Sequence, residues 1–210
     1  MLADTSLDAI MIATPIGQHF EDAYVVLTAG KHVWCEKAFT ETYMQAEELI
    51  TMARRADLAV CVSCPPLYHE QFRKLAALIR NGGIGQVRSI NANYGFPHID
   101  PKNSKYDPNI GGGAMLDVGF YPISVPGALF DERPVVLGST IEHELGYGLD
   151  TGGAALLRFP SGINLSATWG YGRDYVNELR IIGTDGIITA FPAFSKPPAL
   201  TTSLRLQSQN

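Results

Sequence analysis

Apolar residues fall along this chain in two textures, and the change comes near residue 62. Before it, short apolar runs alternate with stripes of helical period. Ala9-Ile10-Met11-Ile12-Ala13 is a run closed by Thr14-Pro15. Proline cannot continue a central strand, so a buried parallel strand is predicted over 9–13. Residues 16–29 carry Phe20, Ala23, Tyr24 and Leu27 at helical spacing, with Gly30 placed as a C′ residue. His32-Val33-Trp34-Cys35 reads as a second strand. Thr42 and Gln45 make a capping box for a helix whose stripe is Tyr43, Ala46, Ile50 and Ala53. Leu58 to Val62 is a third strand. Strand-helix-strand-helix-strand implies parallel strands with crossover helices.

Past residue 63 the period shifts toward two. A helix is predicted at 68–81, with Phe72, Leu75, Ala76 and Ile79 on one face. Strand-like segments follow at 87–94, 135–143, 153–159, 163–170, 178–183 and 186–191, with one helix at 113–129. Pro160-Ser161-Gly162 and Gly183-Thr184-Asp185-Gly186 are hairpin turns. The tail from Ser203 to Asn210 is polar and is assigned no element. The fold class is therefore α/β: half of a Rossmann-type parallel sheet at 1–62, then an α+β unit at 63–210 with an open, mostly antiparallel sheet.

Charge and composition narrow the partners. Residues 1–62 carry four basic and nine acidic groups, and residues 63–210 carry twelve of each. A basic footprint is missing, so nucleic acid is not an expected partner. No apolar run is long enough to span a membrane. Three cysteines form no framework, and a reduced, cytoplasmic protein is the simplest reading. Cys61-x-x-Cys64 lacks the further ligands that zinc needs, so no metal site is assigned. Neither G-x-G-x-x-G nor a P-loop is present.

Three segments carry a family resemblance. Asp8-Ala9-Ile10-Met11-Ile12-Ala13-Thr14-Pro15, with His19, precedes Ala29-Gly30-Lys31-His32-Val33-Trp34-Cys35-Glu36-Lys37. Gly111-Gly112-Gly113-Ala114-Met115-Leu116-Asp117-Val118-Gly119-Phe120-Tyr121-Pro122 comes next, and Leu179-Arg180-Ile181-Ile182-Gly183-Thr184-Asp185-Gly186 last. Together they resemble the Gfo/Idh/MocA oxidoreductases in family order and over nearly the whole chain. Tyr121 stands where many members have histidine. That tyrosine and the stretch Asn103-Ser104-Lys105-Tyr106-Asp107-Pro108 look most like the sugar-ketoreductase and dihydrodiol-dehydrogenase branches.

The resemblance implies a hydride transfer between NAD or NADP and a sugar, a nucleotide-linked keto sugar or a cyclic polyol. It implies Lys37, Tyr121 and Asp117 as catalytic residues, and Thr14, Pro15, His19, Glu36 and Lys37 as the cofactor's surroundings. Lys37 is expected to lower the pKa of Tyr121 by stabilising its phenolate. His98 and the turn Trp169-Gly170-Tyr171-Gly172-Arg173 are weaker candidates for substrate contact. The resemblance also implies a homo-oligomer formed through the second sheet. Members begin with further βα units that carry the glycine fingerprint, about 60–70 residues at the usual length per unit, so the chain reads as truncated. Two departures are visible. The motif's proline is Ala38 here, which is expected to loosen the turn that aims Lys37, and Cys64-Pro65-Pro66-Leu67-Tyr68-His69 lacks the family's arginine. The alternatives are a non-catalytic ligand-binding regulator on the same fold and an inactive fragment.

Overall fold

The computed structural model describes residues 1–144, 146–196 and 201–208. Three parallel strands come first: β1 (Ala9–Ile12), β2 (His32–Cys35) and β3 (Val60–Val62), side by side in that order. Ile10 lies beside Val33, and Cys35 beside Val62. A 3₁₀ turn, Ile16–Gln18, leads into α1 (His19–Thr28), and α2 (Tyr43–Arg55) follows β2. The expected capping box of Thr42 and Gln45 opens α2, and Gly30 beyond α1 takes a positive φ. One sheet face, Ile10, Ile12, Val33 and Cys35, is buried against Ala23, Val26, Leu27, Leu49 and Ala53. Met11 and Trp34 on the other face are exposed.

Short α3 (Pro65–Tyr68) and longer α4 (Glu70–Arg80) connect to a second sheet. Its strands are β4 (Val87–Gly95), β5 (Val135–Glu142), β6 (Gly152–Arg158), β7 (Asn164–Gly170), β8 (Val176–Gly183), β9 (Gly186–Phe191) and β10 (Ser203–Ser208). They lie in the order β10-β9-β8-β4-β7-β6-β5. β4 runs parallel to β7 at the centre, and every other pair is antiparallel. Between β4 and β5 the chain makes a π-helical turn, Met115–Gly119, continuous with α5 (Phe120–Gly127). Alternate residues Ile90, Ala92 and Tyr94 of β4, Leu165 and Trp169 of β7, and Leu179 and Ile181 of β8 form the core with Leu75, Val118 and Val125. The helices thus cover one face, as period-two patterning requires.

The structure shifts several expectations. The stripe of α1 is His19, Ala23, Val26 and Leu27, while Tyr24 is 40% exposed. A histidine can join a buried stripe when both ring nitrogens find partners, and His19 does so. On α2 the buried residues are Leu49 and Ala53, and Tyr43 and Ile50 face outward. The helix expected at 68–81 starts at Glu70, because His69 is extended and caps it, its Nδ1 accepting from the Gln71 amide at 3.1 Å. The helix expected over 113–129 is part π-turn. The polar tail forms β10, an edge strand on β9, and residues 209 and 210 lie outside the described residues. Among the described residues no helix is long and apolar enough to cross a membrane.

Candidate active site

The C-terminal ends of β1 and β2 meet the triglycine turn of the second unit. Glycine makes that meeting possible. A Cβ on Gly17 would lie 2.9 Å from the Ile110 carbonyl carbon, and one on Gly111 would lie 2.6 Å from the Gly17 nitrogen. Gly111 also has φ 81°, a conformation costly for other residues. A cleft of about 270 Å³ opens beside this contact, walled by Thr14, Pro15, Ile16, Glu36, Lys37, Lys105 and Asp117.

Lys37 leaves the end of β2 and crosses the cleft. Its Nζ donates to the Asp117 carboxylate at 2.9 Å and to the Asp117 main-chain carbonyl at 2.7 Å. The same ammonium lies 5.0 Å from the centre of the Tyr121 ring. Asp117 sits in the π-turn, whose start is held by Asp150. The Asp150 carboxylate accepts from the Met115 amide at 2.6 Å, and its carbonyl from the Ala114 amide at 3.0 Å. The second Asp117 oxygen accepts from Lys105 Nζ and from the Tyr171 hydroxyl, the latter at 3.1 Å. Burial would raise the Asp117 carboxyl, but the two lysines outweigh it and hold the group below the usual carboxylate range.

Tyr121 behaves opposite to expectation. Burial pushes its phenol well above the ordinary value, and Tyr94, Asp117, Cys64 and Glu36 push the same way. The expected lowering by Lys37 fails because that ammonium is bonded to Asp117 and meets Tyr121 only over its ring. Tyr121 packs edge-on against Tyr94 at 5.5 Å and Phe120 at 5.5 Å. Burial also pushes Tyr94 up to about 12 and raises Tyr171.

The structure brings Thr14, Pro15, Glu36, Lys37 and Asp117 to one cleft, with Tyr121 behind the lysine. His19 borders the cleft but is 1% exposed. Its Nδ1 sits 2.8 Å from the Ala38 carbonyl and its Nε2 2.8 Å from the Thr14 carbonyl. It braces the turn after β1 against the turn after β2, with both ring nitrogens set at main-chain carbonyls. The same bond to Ala38 holds the turn that a missing proline was expected to loosen. Thr14 itself donates to Asp22 at 2.7 Å.

His98 lies away from the cleft, between the Tyr106 hydroxyl at 3.0 Å and Glu144 at 3.1 Å, stacked on Tyr147. Of the aromatic turn, Tyr171 reaches Asp117, while Trp169 is core. Cys61 is exposed and Cys64 is buried, its thiol pushed up to about 11 by burial. Sequence reasoning missed Lys105 and Asp150. Lys105 stood inside a quoted motif, but nothing in its spacing pointed to Asp117.

A parallel half-sheet that delivers a lysine to an aspartate and tyrosine on the helix of an open second sheet defines a two-part Rossmann-type oxidoreductase architecture. Comparison with known proteins makes this specific. Residues 1–64 match the oxidoreductase family with NAD-binding Rossmann fold, and residues 72–189 match the GFO/IDH/MocA C-terminal domain. The chain belongs to the GFO/IDH/MocA family. It is 30% identical over 210 residues to a dTDP-3,4-didehydro-2,6-dideoxy-alpha-D-glucose 3-reductase of Actinomadura kijaniata, covering 100% of this chain and 63% of that protein. It is 32% identical to a D-xylose 1-dehydrogenase (NADP(+)) of Hypocrea jecorina, covering 91% of this chain and 54% of that one. The crystal structure of a 3-ketoreductase from Actinomadura kijaniata with NADP and TDP-benzene superposes with a TM-score of 0.91 at 31% identity, covering 100% of this chain and 64% of that chain. The chain thus spans under two thirds of the length of these relatives.

Proposed function

We propose that the chain carries the catalytic centre of a nicotinamide-dependent oxidoreductase acting on a sugar or nucleotide-linked keto sugar. The observation that carries this reading is the Lys37 ammonium, bonded to Asp117 and resting on the Tyr121 ring at the strand ends. Ligands of open α/β sheets bind at such strand ends.

The cleft suits a nicotinamide. Cavities of about 150 Å³ take a benzene ring, so one of about 270 Å³ takes a pyridine ring with its carboxamide. Pro15 and Ile16 offer an apolar wall, and Thr14, Glu36 and Lys37 offer polar atoms to the remainder. When bound, the nicotinamide supplies or accepts the hydride. NADP is the form named for the xylose dehydrogenase and held by the ketoreductase, which favours NADP here.

The chain's own groups handle charge and proton. In reduction, a carbonyl carbon gains hydride and its oxygen becomes an alkoxide. Lys37 places positive charge beside that oxygen. Tyr121, held protonated by burial, then gives its proton to the stronger base. Asp117 fixes the lysine's direction. The Actinomadura kijaniata ketoreductase has been crystallised with a lysine changed and with a tyrosine changed. Those two positions are separated by as many residues as Lys37 and Tyr121, which supports the same pairing.

β5 is an edge strand of the second sheet, exposed along its whole length and carrying Val135, Val136, Leu137 and Ile141, which supports pairing of two copies through the second sheet. The reading is tested on the full-length protein, by nicotinamide absorbance, with a TDP-linked 3-keto sugar plus NADPH and with D-xylose plus NADP. Turnover with either, abolished in Lys37→Ala, is expected. Equal turnover in Lys37→Ala would overturn it.

A further inference from the structure

Asp117 is one carboxylate shared by two ammonium groups. Lys37 takes one oxygen, and Lys105 takes the other together with the Tyr171 hydroxyl. The Lys37 and Asp117 side chains are 15% and 13% exposed, so solvent screens them little, while Lys105 is 36% exposed at the cleft mouth. Two features hold Lys105 in place. Its carbonyl accepts from the Gly113 amide at 2.9 Å, and its ammonium lies 5.8 Å from the centre of the Phe96 ring.

Charge counting gives this arrangement a meaning. Lys37 and Asp117 alone form a neutral pair. An anion forming beside Lys37 would feel the carboxylate's repulsion as well as the ammonium's attraction, and the first offsets part of the second. Lys105 cancels the carboxylate from its far side and leaves one net positive charge, that of Lys37, directed at the cleft.

We propose that Lys105 is a positioning residue for the reaction: by neutralising Asp117 from behind, it frees the Lys37 charge to stabilise the developing alkoxide. This rests on the hydride-transfer reading above. The groups facing Asp117 are Lys37 from the turn after β2, Lys105 from the 3₁₀ turn Ser104–Tyr106, and Tyr171 from the end of β7. Tyr121 and Tyr94 lie within electrostatic range. Loss of Lys105 removes one of the cations that keep Asp117 ionised, so Asp117 protonates at higher pH.

The test compares Lys105→Met, Lys105→Arg, Tyr171→Phe and Lys37→Ala in the full-length protein. Lys105→Met is expected to lower kcat roughly 10- to 100-fold, within the range of a positioned charge or proton-transfer group, with the sugar KM little changed. The acid limb of its kcat/KM profile moves toward neutral pH. Lys105→Arg restores both, and Tyr171→Phe, which removes no charge, costs less than Lys105→Met. If Lys105→Met lowers the melting temperature, Lys105→Gln is measured at a temperature where both are folded. An unchanged kcat and acid limb in the folded Lys105 variants, with turnover lost in Lys37→Ala, overturns this inference and leaves the hydride-transfer reading standing. Full turnover in Lys37→Ala overturns both.

Discussion

The two sides of the cleft are secured by different means. On the side of β1–β3, the lysine-bearing turn is held through main chain: His19 clamps two carbonyls, and Gly17 admits the backbone of Gly111. On the side of β4–β10, Asp117 is held by side-chain charge and a buried aromatic layer. The small sheet's three strands bury Ile10, Ile12, Val33 and Cys35 on one face and reach the cleft through backbone contacts. The large sheet has core to spare and can bury a polar cluster with every oxygen satisfied.

The contrast can be broken in a graded way. Lys37→Ala carries the largest expected effect, a fall of about 10²- to 10⁴-fold in kcat of the full-length protein, measured at a temperature where the variant is folded. Next comes Trp169→Ala, which empties the core where the indole packs against Gly119 of the π-turn. Urea denaturation should show a loss of about 3–5 kcal/mol, and Trp169, 1% exposed, has that much to lose. His19→Ala should cost roughly 2–4 kcal/mol by the same measurement, since the buried ring and its contacts to the Ala38 and Thr14 carbonyls are lost. It should also slow turnover by loosening the lysine turn, with Lys37, Asp117 and Lys105 all retained. If Trp169→Ala and His19→Ala slowed turnover equally with equal loss of stability, the distinction between the two sides would collapse.

Acid sharpens the comparison on the charged side. Asp117 is held below its ordinary range, so its stabilisation is present above the unfolded value of about 3.9 and is lost as pH falls through the folded value. Asp117→Asn should therefore be less stable than the parent at neutral pH, with the gap closing below pH about 4. The smallest effect belongs to the exposed pair Glu70–Lys74 on α4, 73% and 66% exposed. Lys74→Ala should leave the urea midpoint unmoved, because surface ion pairs contribute little.

Nine of the ten described strands were legible, the first three as short apolar runs and the rest from a period near two, and the α2 cap from four residues. Helix rotation was less so. Size favoured Phe20 and Tyr24 as the inner face of α1, whereas partners for both nitrogens let His19 take that place. The edge strand β10 was hidden because an exposed strand on β9 needs no apolar alternation. In the site, Lys37 and Asp117 stood in motifs, and the structure joins them. Lys105 reaches Asp117 only because the loop folds back over the triglycine, with the Gly112 amide on the Asp107 carbonyl and the Gly113 amide on the Lys105 carbonyl. That is tertiary information with no period in the sequence. The sign of the Tyr121 shift was missed for a related reason: a nearby ammonium acts on a phenol only as far as a carboxylate has not already claimed it.

The contact between Gly17 and Gly111 has a consequence for how this protein can fail. Alignment of lysine with aspartate across the two halves depends on a gap smaller than a methyl group. A single alanine there acts as a wedge, keeping every charged and proton-bearing group while setting them out of register. Such a variant keeps Lys37, Asp117 and Tyr121 and is expected to lose their alignment. Damage of this kind is invisible to any inspection of the reactive residues, because the part that breaks is an absence of atoms.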